Sequence, residues 1–231
     1  MLRKHFKKLV SVVMATAMII GGSVNAFAAE SPRFVDSNNI EYITIYNEEN
    51  NTVQAVQKNH TTGECIYGPV ISVNSNAENP EHDTNATRAN KIHQDTFLNF
   101  EYDIWESNPR EWNLERPSGV FDQYYFKCYE NSSNSSELSD WKDDVDALNA
   151  QEFVVIGAVG VSAYEIIKAA IISHAAIASG GILTAEAIDS IKDAVVSTGA
   201  TGVAIGLLCT CYNNCAMAYQ YVFNATDNKH Y

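Results

Sequence analysis

Thirty-three consecutive residues near the C-terminus, Ala194–Thr226, contain no Asp, Glu, Lys or Arg. A run of this length could cross a bilayer, which takes about 20 apolar residues. It is nevertheless a poor permanent anchor. It is rich in Gly, Ala, Ser and Thr, poor in Leu and Ile, and interrupted by Asn213, Asn214 and Gln220. Gly199, Gly202 and Gly206 would let a second helix approach closely, the last two at the four-residue spacing of membrane helix pairs. The competing expectation is a Gly/Ala-rich helical hairpin packed inside a water-soluble protein. Both expectations demand helix.

The segment before the run has the same character. Phe153–Tyr164 carries no charge over 12 residues and Ala169–Ala185 none over 17. Glu165 and Lys168 fall between them, three apart, where they partly neutralise each other on one helix face. Gly180-Gly181 breaks the pattern, and Thr184 starts another helix with Ile188, Ile191 and Val195 as its apolar stripe. Upstream, Ser139 is expected to cap a helix beginning at Asp140, with Trp141, Val145 and Leu148 on its buried face.

The preceding part reads as β. Ile40–Tyr46 and Thr52–Val56 are strands separated by the turn formers Asn47–Asn51, and Cys65–Val73 is a third, demoted to an edge or a bulge by Pro69. Asn74–Asn90 reads as a polar linker. Phe97–Trp105 alternates Leu98, Phe100, Tyr102 and Ile104 against Asn99, Glu101 and Asp103, and Val120–Tyr129 is crowded with aromatics. Asn131–Ser136 is a polar hinge. The expected fold class is therefore α+β: a small antiparallel β-rich part, residues 29–136, followed by an apolar α-helical bundle or hairpin, residues 137–231.

Residues 1–28 read as a secretory signal, with Arg3, Lys4, Lys7 and Lys8 before the apolar stretch Leu9–Ile20 and small residues at Ala26 and Ala28. The protein is expected to be secreted. Its removal takes four basic residues and no acidic one, moving the net charge from −13 to −17. Such acidity argues against nucleic acid as a partner, since phosphate binding needs Lys and Arg. Five cysteines remain, Cys65, Cys128, Cys209, Cys211 and Cys215. Outside the cytoplasm a local Cys209–Cys215 disulfide and a Cys65–Cys128 bond are the natural expectations, leaving one thiol over.

No sequence pattern nominates an active centre. Gly-x-Ser-x-Gly, His-Glu-x-x-His, phosphate-loop and dinucleotide signatures are all missing from the sequence. His60, His82 and His93 lie in or beside polar segments with nothing to organise them along the chain, and His174 sits in an apolar helix. Glu78, Glu81, His82 and Asp83 suit a solvated loop better than a cation site, and Cys-x-Cys-x-x-x-Cys lacks zinc-ligand spacing. No metal, cofactor or catalytic residue is expected.

Two stretches, Thr52-Val53-Gln54-Ala55-Val56 and Thr62-Gly63-Glu64-Cys65-Ile66-Tyr67-Gly68, lie between the signal and the Gly/Ala-rich helical half. This layout resembles the large unmodified secreted bacteriocins of the geobacillin type. The resemblance implies an antibacterial protein acting on related cells and offers no catalytic residues to carry over. The three C-terminal cysteines have no counterpart in it. Membrane perturbation through residues 152–223 is then the expected activity, on a bacterial membrane, through a receptor or as an oligomer. The other expectation is a non-catalytic extracellular module that binds a surface ligand on the aromatic strands between Phe97 and Tyr129.

Overall fold

The computed structural model describes residues 34–47, 49–73, 91–195 and 199–231. The expected signal, the linker Asn74–Asn90 and the Glu78–Asp83 cluster lie outside them. The architecture is α+β, with two antiparallel sheets followed by helices.

The first sheet contains β1 (Phe34–Val35), β2 (Ile40–Asn47), β3 (Thr52–Asn59), β4 (Cys65–Tyr67) and β5 (Ile71–Ser72), with β4 and β5 both paired to β3. Pro69 has no N–H to give to the ladder, and the third run splits around it as its sequence suggests. Opposite the split, the Ala55 N–H donates to Ser173 Oγ at 2.7 Å, and that hydroxyl donates to the Pro69 carbonyl at 2.8 Å. A helix side chain thus supplies the pairing that proline withholds. Gly68 is what admits it, because a Cβ there would stand 2.5 Å from the Ser173 carbonyl oxygen.

The second sheet is a meander of β6 (Lys91–Asp95), β7 (Glu101–Trp105), β8 (Glu111–Glu115) and β9 (Tyr125–Tyr129). Here the sequence expectation needs correction. Phe97–Phe100 is a turn rather than strand: Asn99 takes a left-handed φ of 61°, and the Phe100 N–H donates to Thr96 Oγ1. The alternation nonetheless survives, with Leu98, Phe100, Tyr102 and Ile104 all buried. Only the end of the expected Val120–Tyr129 strand forms one.

Four helices follow: α1 (Ser135–Val159), α2 (Val161–Ile177), α3 (Ala185–Val195) and α4 (Gly199–Ala225), with a 3-10 turn at Ser179–Gly181. The first starts a turn before the expected Asp140. Asn134 ties that start down, donating to the Tyr129 carbonyl and to Thr226 Oγ1. Gly160, at φ 83°, then separates α1 from α2 inside a stretch whose composition shows no break. Thr184 caps α3 as expected, its Oγ1 accepting from the Ala187 N–H. Helices α2 and α3 cover the first sheet, α1 and α4 run antiparallel and cover the second, and one buried cluster joins all of these layers.

Candidate functional site

The antiparallel α1–α4 pair brings the two uncharged runs together. Gln151 Nε2 of α1 donates to the Ala204 carbonyl of α4 at 3.0 Å, so the end of α1 lies beside the start of α4. Val154, Val203 and Leu207 are each more than half exposed there, with Phe153 40 % exposed. No charged residue lies between Glu152 and Glu165, or between Asp193 and Asp227. The outcome is an apolar end of the helical half to which its own two runs contribute no charge, bordered by Lys192 of α3 over Gly206. Single exposed apolar side chains are ordinary in proteins, but a group of them without charges marks a surface for another apolar phase.

The residues expected to face a membrane occupy its surroundings. Glu165 and Lys168 form an i,i+3 pair at 3.9 Å on α2. Gly206 lies under the Lys192 stem, whose Cε would be 2.9 Å from an added Cβ, and Lys192 donates to Asp189 at 2.8 Å. Gly202 meets nothing within 4 Å, so in this arrangement no helix packs closely on it. Gly199 is the first residue of α4.

Beneath this end sits a carboxylate absent from the sequence expectations. Glu152 is fully buried, and its oxygens accept from the Phe97 N–H, the Leu98 N–H and the Tyr164 hydroxyl, each at 2.9 Å. Burial raises its carboxyl to about 7, against the opposing pull of those three donors. Glu152 therefore fastens α1 and α2 to the β6–β7 turn. Phe97 completes the junction, its ring 5.8 Å from Phe153 and 5.9 Å from Tyr164.

His174 does a comparable job on the first sheet. Its Nε2 lies 2.8 Å from Thr44 Oγ1, which is 2.9 Å from Ser190 Oγ. Burial lowers the imidazole to about 4, so the ring is neutral at ordinary pH. The network links α2 and α3 to β2.

The expected disulfides do not form: all five cysteines are free. Cys209 and Cys215 lie six residues apart on α4, and a helical rise of about 1.5 Å per residue separates them by roughly 9 Å along the axis, too far for a bridge. Both are buried, as is Cys128, and burial pushes the Cys209 thiol up to about 12 and the Cys128 thiol to about 11. Cys65, in the first sheet, and Cys128, in the second, likewise remain thiols.

The aromatic strands divide by face. Phe100, Tyr102 and Phe126 point into the core, while Trp105, Tyr125 and Tyr129 share the other face of the second sheet with charged residues. On that face the register sets His93 against Asp103 and Asp103 against Asn113. His93 Nδ1 lies 2.7 Å from Asp103 Oδ1 and 3.5 Å from Glu101 Oε1. Spacing along the chain concealed this cluster, because its members come from two strands joined by a turn. The signal that could have revealed it is the pairing of Lys91–Asp95 with Glu101–Trp105.

Comparison with protein families, with curated proteins and with solved structures finds no match.

Proposed function

We propose that the protein is a secreted, bacteriocin-like antibacterial protein, not an enzyme, that perturbs the membranes of competing bacteria through its helical half. The observation supporting this most strongly is the group of exposed apolar side chains Phe153, Val154, Val203 and Leu207 on two helix runs that contain no charge of their own. Among the described residues, no helix is long and apolar enough to cross a membrane. The mode of action we favour is therefore entry of this end into the headgroup–acyl boundary, as interfacial helices do, rather than spanning by one helix. Lys192, beside Gly206, can extend its ammonium toward anionic headgroups while its stem stays on apolar surface. The strongly acidic remainder of the chain opposes approach to an anionic cell, so a receptor on the target supplies the initial attachment.

Growth inhibition of related Gram-positive strains by purified protein tests the reading. The native protein should inhibit them, and Val203→Glu with Leu207→Glu should abolish inhibition while leaving the circular dichroism spectrum unchanged. Undiminished killing by that folded double variant would count decisively against it.

A second reading, a non-catalytic module that binds a surface ligand, draws on the outer face of the second sheet. Trp105 lies there between the ammonium groups of Lys91 and Lys127, 5.2 and 5.9 Å from its ring centre, and Tyr129 is exposed nearby. Under this reading, Trp105→Ala would abolish binding to target-cell surfaces and Leu207→Glu would leave it intact.

A further inference from the structure

We propose that His93, Glu101 and Asp103 form a binding site for a divalent transition-metal ion of the zinc type. One ligand atom from each of the three lies within 4.8 Å of the others. An imidazole nitrogen with two carboxylates is a borderline donor set, suited to zinc and disfavouring soft ions. Tetrahedral zinc with bonds of about 2.0–2.1 Å needs roughly 3.3 Å between donors. The His93–Glu101 separation of 3.5 Å already meets this. The His93–Asp103 separation of 2.7 Å needs to open by only about half an ångström.

Three further features support the assignment. The first is charge. Asp95, Glu101 and Glu115 stand directly opposite one another across β6, β7 and β8, with Asp103 two residues along from Glu101. Like charges placed directly across a sheet are destabilising. A divalent cation would offset this repulsion.

The second is orientation. Asn113 Nδ2 donates to Asp103 Oδ2 at 3.4 Å, and the Tyr125 hydroxyl donates to Asn113 Oδ1 at 3.0 Å. These contacts hold one carboxylate oxygen and leave Oδ1 directed at His93, as supporting residues do for metal ligands. The third is the resident cation. Lys91 Nζ lies 2.7 Å from the same Asp103 Oδ1, and also 5.2 Å from the centre of the Trp105 ring. An arriving ion displaces the ammonium from Asp103, and Lys91 retains its place over the indole. Metal binding also requires the proton that Nδ1 donates to Asp103 to leave that nitrogen, the neutral imidazole then carrying its one proton on Nε2 and giving the Nδ1 lone pair to the metal. His93 and Glu101 are partly exposed while Asp103 is buried, so the fourth position is open on the His93–Glu101 side to water or to a donor from a partner.

Titration of the full purified protein with zinc chloride, by isothermal calorimetry and with calcium chloride in parallel, tests the assignment. One zinc ion per chain should bind with micromolar affinity, and calcium should bind at least tenfold more weakly. His93→Gln and Glu101→Gln should each weaken zinc at least tenfold, whereas Lys91→Met should tighten it by removing the competitor. Cobalt in place of zinc should give visible bands without thiolate charge transfer, which separates this site from the cysteines. Absence of stoichiometric zinc binding, unchanged affinity in folded His93→Gln, a thiolate signature, or no tightening by Lys91→Met would overturn the assignment.

Discussion

The two sheets are covered by helices in opposite styles. Over the first, α2 and α3 approach through small and hydroxylic groups: Ala55, Thr44, Ser173, Ser190 and Gly68, with His174 as the one large polar side chain. Over the second, α1 and α4 present rings: Trp141, Tyr212 and Tyr219 pack edge-on or tilted against Phe100 and Phe126, at centre separations of 5.2–5.9 Å. Aromatic burial supplies much of the energy of the second interface. Hydrogen bonding supplies the fit of the first, whose split sheet would otherwise leave Ala55 without a partner. One interface is strong through area, the other specific through satisfied polar groups.

The largest expected effect breaks the aromatic side. Trp141→Ala should destabilise the protein by about 3–5 kcal/mol, because it leaves a cavity at a fully buried position. Urea unfolding with an unchanged slope would read this. Next comes Glu152→Gln. The amide would set its NH2 against one of the Phe97 and Leu98 N–H groups while its oxygen serves the other, and about 2–3 kcal/mol of stability should be lost. Ser173→Ala, on the hydroxylic side, should cost less, about 1–2 kcal/mol, by orphaning the Ala55 N–H.

Titration sharpens the contrast further, because the two buried anchors respond to pH with opposite signs. The Glu152 carboxyl is raised to about 7 from an unfolded value of about 4.3, so the native state holds its proton more tightly. Its contribution is complete below about 4.3 and is lost as pH rises through about 7. The His174 imidazole is lowered to about 4 from about 6.5, so its contribution is complete above about 6.5 and is lost as pH falls through about 4. Thermal melts across pH 4–8 should show the alkaline decline flattened in Glu152→Gln and the acid decline flattened in His174→Gln. Identical pH profiles in the two variants would contradict the division of labour.

Local chemistry was legible in the sequence wherever a residue acts on its neighbours. Alternation marks Ile40–Tyr46, Pro69 marks the split edge, Thr184 caps α3, and Gly180-Gly181 ends the helical run. Features made by distant residues were not legible. Glu152 meets its backbone donors 54 and 55 residues away, and nothing near it in the chain distinguishes it from a surface glutamate. Gly160 breaks a helix amid alanine and valine, where a glycine ordinarily passes as a small packing residue. Compartment and spacing favour a Cys209–Cys215 bond, but one continuous helix carries both residues and holds them apart. The apolar end of α1 and α4 was half legible: its lack of charge stands in the sequence, while the antiparallel pairing that gathers Val154, Val203 and Leu207 emerges only on folding.

The smallest expected change in stability belongs to that end. Val203→Glu and Leu207→Glu, both on exposed positions, should alter stability by no more than about 0.5 kcal/mol. Their effect on membranes separates surface chemistry from folding. The decisive measurement is dye release from vesicles of zwitterionic phosphatidylcholine, whose neutral surface does not repel the acidic chain and needs no receptor, by the native protein and by this double variant at equal concentration. Release by the native protein and none by the variant is the expected result. Equal release by both would show that the apolar end does not carry the membrane activity.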